Sequence, residues 1–307
     1  MSMAIIVHGG ASTVPPEQAD AFRSGCLRAV EAGWAILRAG GSACDAVEAA
    51  VRVLEDDETF NAARGAALNA ECMPNLDAAL MEGGDLRYGG VASSTGLRHP
   101  ISVARKILDV GPLLLSGEGA RRFAEAHGGE LCDPEELITA KQRRQWEQTE
   151  QQLRQERQAE PGTNDTVGCI ALDARGLIAV GSSTGGEGHS PPGRVGDTAQ
   201  IGCGVYADNA LGACAVSGTG EAIMQIVVAK SAVELLAAGL HPEDAARQMI
   251  ETLGERVQGE GGCIMLDRRG RPGWAHNSPE MTVALMREGM EAPQAWLRKE
   301  QQERAVE

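Results

Sequence analysis

Two hydrophobic periods alternate along this chain and divide it into blocks. Residues 4–8 form a short apolar run ending at Gly9-Gly10, the pattern of a buried strand with a sharp exit. Phe22, Cys26, Val30, Trp34 and Leu37 then recur at spacings of four and three, which predicts a helix closed by Gly40-Gly41. Ser42, with Asp45 three residues on, predicts the N-cap of a second helix whose apolar stripe is Val47, Val51 and Leu54. Short strands are expected at 65–69, 75–82 and 89–94, and a helix opens at Pro100 with Ile101, Ala104 and Leu108 on its inner face. Over 141–160 the pattern lapses: seven Gln and nine charges accompany only Trp146 and Leu153 as large apolar residues. A solvated helix or a mobile linker fits that composition, ending at Pro161-Gly162.

The second half is richer in strands. They are expected at 166–172, 177–183, 201–207 and 212–218, the first two joined by the turn Asp173-Ala174-Arg175-Gly176. Helices at 220–238 and 242–254 precede strands at 262–267 and 282–287, the former turning at Asp267-Arg268-Arg269-Gly270. Strands and helices come in blocks instead of a strict βα alternation, so the expected class is α+β.

Composition narrows the function classes. With 28 Lys+Arg against 43 Asp+Glu among 307 residues, the net charge is −15, which disfavours a nucleic-acid backbone or an anionic membrane as main partner. Hydrophobic residues at 43% supply a sizeable core, but aromatics at 3% leave Ala, Val, Leu and Ile to fill it. The eight cysteines (26, 44, 72, 132, 169, 203, 214 and 263) form no CxxC pair, and are expected as packed free thiols of a reducing compartment. The first residues lack a basic, then apolar, leader, and no apolar run approaches the ~20 residues of a membrane span. A soluble, cytoplasmic protein is expected.

Candidate chemistry is concentrated between 164 and 221. Thr166 opens a strand directly after the charged segment. Beyond it lie Ser182-Ser183-Thr184-Gly185-Gly186, Pro192-Gly193-Arg194-Val195-Gly196-Asp197 and Ser217-Gly218-Thr219-Gly220-Glu221. Glycines at strand ends let the backbone approach a ligand and present N–H donors. Singly, such stretches are usually turns, and Arg194 with Asp197 could be a surface ion pair. No P-loop, G-x-S-x-G elbow or H-E-x-x-H unit occurs. His8, following a buried strand, is expected as a hydrogen-bonded core residue and not a catalyst.

Together, Asn164-Asp165-Thr166-Val167-Gly168, Ser183-Thr184-Gly185-Gly186, Gly193-Arg194-Val195-Gly196-Asp197 and Gly218-Thr219-Gly220-Glu221 resemble the plant-type L-asparaginase/isoaspartyl peptidase family of N-terminal nucleophile hydrolases. Ile5-Ile6-Val7-His8-Gly9-Gly10, Phe60-Asn61-Ala62, Leu76-Asp77-Ala78-Ala79-Leu80 and His276-Asn277-Ser278-Pro279 resemble further landmarks, so the likeness runs nearly the whole chain. Ala63 stands where a Gly is usual, and His276 where a Phe is usual.

The resemblance implies one domain over 1–307, a four-layer αββα sandwich that cuts itself between Asp165 and Thr166. The products would be an α subunit (1–165, its end a linker from about 141) and a β subunit (166–307). A threonine hydroxyl is a weak nucleophile at neutral pH, and a freed α-amine, with a pKa of about 7.7–8.0, can serve as its base. The implied roles place Thr166 as nucleophile, Thr184 on its hydroxyl, Asn61 on its amine, and Thr219 with Gly220 as the oxyanion hole. Arg194, Asp197 and Gly186 would bind substrate, the guanidinium fork taking an α-carboxylate and Asp197 an α-ammonium. The implied substrates are β-aspartyl dipeptides and L-asparagine. No cofactor is implied for catalysis; a structural sodium is implied in the loop carrying Leu54, Glu55, Asp57, Phe60, Ala62 and Arg64. An (αβ)₂ dimer is implied as the assembly. Two alternatives stay open: a glycosylasparaginase, which shares the Asp-Thr junction, and a non-cleaving amino-acid binder.

Overall fold

The computed structural model describes residues 2–155 and 165–298. Two sheets carry the fold. The larger has eight strands in the order β12-β11-β1-β5-β6-β2-β3-β4, and the smaller has four in the order β10-β9-β8-β7. In the larger sheet the strands are β1 (Ala4–Ser12), β2 (Leu76–Glu82), β3 (Arg87–Ser94), β4 (Leu114–Ser116), β5 (Val167–Leu172), β6 (Ile178–Thr184), β11 (Glu280–Arg287) and β12 (Gln294–Trp296). The smaller sheet comprises β7 (Val205–Asp208), β8 (Gly212–Gly218), β9 (Gly261–Asp267) and β10 (Pro272–His276).

Period-two side-chain alternation sorts these strands between three hydrophobic clusters. Ile5 and Val7 of β1, Val167 and Cys169 of β5, and Leu76 and Leu80 of β2 face helices α1 (Ala19–Arg38), α2 (Ala43–Asp56) and α3 (Pro100–Val110). Their neighbours Ile6, Ile170 and Met81 meet Ala213, Ala215, Ile264 and Leu266 of the smaller sheet. On that sheet's other side, Cys214, Val216, Cys263 and Met265 pack with α7 (Val228–Ala237) and α8 (Pro242–Val257). Strands buried on both faces cannot show a polar stripe, which is why β5 and the first residues of β1 and β6 read as apolar runs without alternation. The α+β class is thus observed, as a mixed fold with two sheets.

Several local expectations hold. Ser42 accepts from the Asp45 N–H at 3.1 Å, and the Asp45 carboxylate accepts from the Ser42 N–H, completing a capping box. All eight cysteines are free, six of them buried. No helix among the described residues is long and apolar enough to cross a membrane.

Others need correction. Residues 65–69 are irregular, with one isolated bridge, Leu68 to Pro74, because Asn69 Oδ1 closes a tight turn by accepting from the N–H groups of Glu71 and Met73. The strand expected from 201 begins at Val205, since Gly202 (φ 85°) and Cys203 are spent in turns. The single helix expected over 220–238 is two, α6 (Gly220–Ile226) and α7, broken at Val227 with φ 52°. The Ala229 and Lys230 N–H groups donate to the carbonyls of Cys203 and Gly202 and not to α6. Sheet pairing is antiparallel except β3 with β4, where α3 provides the crossover that a parallel return needs. The pattern had also passed over α4 (Gly117–Ala126) and the strands β4, β10 and β12.

Of the two forms allowed over 141–160, residues up to 155 take the helical one, as α5 (Ala140–Gln155). Trp146 ties it down: its indole N–H donates to the Asn69 carbonyl at 2.8 Å, and its ring stacks on His189. The rest of the expected linker, 156–164, lies outside the described residues.

Candidate active site

Thr166 lies at the head of β5, between β1 and β6, and is buried. It lines a narrow cleft with Asp165, Thr184, Gly186, Arg194 and Asp197. Sheet register brings the parts together: Val167 pairs with Ser183, which sets Thr184 at the end of β6 beside the 165–166 peptide.

With that peptide intact, two donors converge on the Asp165 carbonyl oxygen. The Thr184 hydroxyl donates to it at 2.9 Å, and Asn61 Nδ2 donates at 2.9 Å. Asn61 also donates to the Gly186 carbonyl at 2.8 Å and accepts from the Ala67 N–H at 2.7 Å, so its amide orientation is fixed. Gly185 has to be glycine here, since an added Cβ would lie 2.5 Å from both Asn61 Oδ1 and the Ala66 Cβ. Across the cleft, the Thr166 N–H donates to Ser217 Oγ at 3.2 Å, and the Ala11 N–H donates to the same hydroxyl at 3.1 Å.

The Asp165 side chain is shielded, and burial pushes its carboxyl up to about 6 against the opposing Ser12 hydroxyl and Lys141 charge. His8 is fully buried within β1. Desolvation drives its imidazole down to about 3, opposed only by a backbone contact with Thr166, so the ring is neutral. The core position is the one expected from sequence, but the expected hydrogen bond is not formed: neither ring nitrogen meets hydrogen-bond geometry among the described residues.

Arg194 and Asp197 are both buried or nearly so at the far end of the cleft. Glu221 takes the Nε–Nη2 edge of the guanidinium, with contacts of 2.9 and 2.7 Å, and the Glu187 carboxylate lies 3.4 Å from Nη2. Nη1 is turned toward Gly186 and Gly196, where any Cβ would lie 3.6 or 3.4 Å away. Burial raises the Asp197 carboxyl to about 7, with Arg194 pulling the other way. Thr219 is the N-cap residue of α6 without a capping side-chain bond; its own N–H donates to the Glu260 carbonyl at 2.8 Å. Gly218 and Gly220, on either side of it, line the cleft.

Sequence reasoning gives no individual role to Asp77, Ser217 or Glu187. Asp77, in β2, accepts from the N–H groups of Ser93 (2.6 Å) and Gly196 (3.3 Å), fixing the segment that carries Arg194 and Asp197; burial lifts its carboxyl to about 6. An acid near the start of an otherwise apolar strand is the available signal for it. Ser217 and Glu187 had none beyond a place among glycines.

The segment proposed for sodium begins in the last turn of α2, which holds Leu54 and Glu55, and only then runs on as a loop to Arg64. Glu55 is buried and its carboxyl accepts from the Ile101 N–H at 3.0 Å, with burial raising it to about 8, so this side chain serves the α2–α3 junction. The carbonyls of Asp57 and Glu55 accept from the Phe60 and Arg64 N–H groups, whereas those of Phe60 and Glu58 converge 2.7 and 2.9 Å from where a Gly65 Cβ would stand. Leu54 and Ala62 are core residues, and Arg64 pairs at 3.6 Å with Glu58. No cluster of three or more His, Cys, Asp or Glu suited to a metal occurs among the described residues.

A family model described as asparaginase matches residues 1–294. The chain belongs to the asparaginase family. It is 38% identical to an isoaspartyl peptidase/L-asparaginase of Bos taurus over 291 residues, covering 94% of both chains. A plant-type L-asparaginase of Pyrococcus abyssi is 39% identical across 95% of this chain and 99% of its own. The Mus musculus isoaspartyl peptidase/L-asparaginase is 38% identical over 272 residues. Family membership therefore accounts for the order of the motifs from β1 to β11.

Proposed function

We propose that this asparaginase-family chain is a self-processing threonine amidohydrolase that releases L-aspartate from β-aspartyl dipeptides and L-asparagine. One observation carries it: two donors sit on the carbonyl of the Asp165–Thr166 peptide, in the same cleft as the Arg194 guanidinium and the buried Asp197 carboxyl. In the precursor, the Thr166 hydroxyl attacks the Asp165 carbonyl carbon while Asn61 and Thr184 stabilise the developing oxyanion. The C–N bond breaks, the Thr166 nitrogen leaves with a proton, and water hydrolyses the resulting ester. The Asp165 carboxylate, on the adjoining residue, is the proposed acceptor of the hydroxyl proton.

Once freed, the Thr166 amine is the base for its own hydroxyl. Thr184 and Asn61, released from the Asp165 carbonyl, are then available to the Thr166 hydroxyl and amine. The hydroxyl attacks the side-chain carbonyl of a bound β-aspartyl group, the amine protonates the departing nitrogen, and water releases aspartate. Thr219 and the Gly220 N–H, at a helix start where no helical carbonyl accepts it, are the proposed oxyanion donors of this second reaction. Arg194 receives the α-carboxylate at Nη1, Asp197 receives the α-ammonium, and Gly186 leaves room between them.

The succession of helices, larger sheet, smaller sheet and helices in the three clusters supports a four-layer αββα arrangement. The converging Glu58 and Phe60 carbonyls support the 54–64 loop as the seat of a structural sodium. Eight free thiols and the acidic composition fit a cytoplasmic enzyme. The (αβ)₂ assembly belongs to the same proposal. Intact-mass measurement together with aspartate release from a β-aspartyl dipeptide tests the reading. Fragments 1–165 and 166–307 with dipeptide turnover support it; an uncut chain that binds aspartate makes it a binder, and a preference for glycosylated asparagine makes it a glycosylasparaginase.

A further inference from the structure

Beside the cleft runs a groove of about 860 Å³ between α5 and the loop after β6. Gln142, Gln145, Thr149 and Gln152 line it from one face of α5, and its floor includes the stacked pair Trp146 and His189, with ring centroids 5.1 Å apart. No Asp, Glu, Lys or Arg lines it among the described residues, in a chain that is 23% charged. The groove continues from the cleft without a gap in sequence: Gly186 and Glu187 line the cleft, and the next two residues, Gly188 and His189, line the groove.

We propose that this groove binds the peptide that follows the β-aspartyl residue in substrates longer than a dipeptide. The inference rests on the hydrolase reading above and extends its substrate class. Gln side chains offer both a donor and an acceptor, the match for backbone amides, while an uncharged wall does not discriminate by side-chain charge. From Gln142 to Gln152 the helix rises ~15 Å, at about 1.5 Å per residue. An extended peptide covers that distance in about four residues, at roughly 3.4 Å each. The stacked Trp146–His189 pair offers an apolar face to one of the side chains.

The experiment compares kcat/KM for a β-aspartyl dipeptide and a β-aspartyl pentapeptide in wild type and in a Gln145→Ala/Gln152→Ala variant, with aspartate and the released tetrapeptide identified by mass. Both Gln residues are exposed, so folding should be unaffected. Two neutral hydrogen bonds, each worth roughly two- to tenfold, give an expected pentapeptide advantage of about tenfold or more in wild type. In the variant the advantage falls toward unity. Equal kcat/KM for the two lengths in wild type, or an undiminished advantage in the variant, overturns the groove while leaving the hydrolase intact. No aspartate from the dipeptide in wild type overturns the hydrolase reading itself, and the groove's role with it.

Discussion

The Thr184 hydroxyl donates to the Asp165 carbonyl oxygen at 2.9 Å, although 18 residues separate them in sequence. Asn61 donates to the same oxygen, so each contributes one of two donors to the bond proposed to break. Removing one such donor typically costs ~10²–10³ in rate. Thr184→Val and Asn61→Ala should each slow the appearance of fragment 166–307 by that order in a gel time course. Processing at the wild-type rate in both would show that these contacts do not polarise the carbonyl.

Thr166→Ala should stay full length and inactive, and Thr166→Ser should process slowly. Mass spectrometry of freshly purified protein reads this directly. A Thr166→Ala chain still cut at 165/166 would point to an external protease.

Arg194 is held by Glu221 through one guanidinium edge, leaving Nη1 toward the cleft. Lysine keeps the charge and loses the fork. Arg194→Lys should lower kcat/KM for a β-aspartyl dipeptide at least tenfold while processing proceeds. Unchanged turnover would remove Arg194 from substrate binding, and lost processing would make it a folding residue.

Asp197 has its carboxyl raised by burial to about 7, and only the ionised form attracts an α-ammonium. L-aspartate affinity, measured by calorimetry so that turnover plays no part, should therefore strengthen as pH rises from 6 to 8. The stability effect has the opposite sign. Between the ordinary carboxylate range and about 7 the folded state holds a proton the unfolded state has lost, so this residue makes stability fall as pH rises. Asp197→Asn should flatten both dependences; a flat affinity profile in wild type would rule out the ammonium-binding role.

Ala63, one of the two departures from the resemblance noted in the sequence, adopts φ 39° in the buried loop that carries Asn61. The left-handed region costs a residue with a Cβ about 1–2 kcal/mol, and a new Gly loses roughly 0.5–1 kcal/mol through unfolded-chain entropy. Ala63→Gly should therefore be neutral to about 1 kcal/mol stabilising in urea denaturation. A clear loss of stability would mean that packing of the Ala63 methyl outweighs the backbone strain.

The sequence by itself determined most of the element blocks, the Ser42 capping box, the buried first strand and the motif order that places Thr166 at a strand head. These are local properties, set by periodicity, capping and glycine spacing within a few residues. It could not show that Ser217 receives the Thr166 N–H, that Asp77 fixes the Arg194–Asp197 segment, or that Glu221 occupies half of the guanidinium. Those contacts join residues 27 to 119 positions apart, and they exist only because β2, β5, β6 and β8 lie side by side or face to face. Nor could it foresee the break at Val227, which follows from carbonyls of a distant turn capturing the first N–H groups of α7. Only the tertiary structure decided the raised carboxyls of Asp165 and Asp197, because burial is a property of what surrounds a residue and not of its neighbours in sequence.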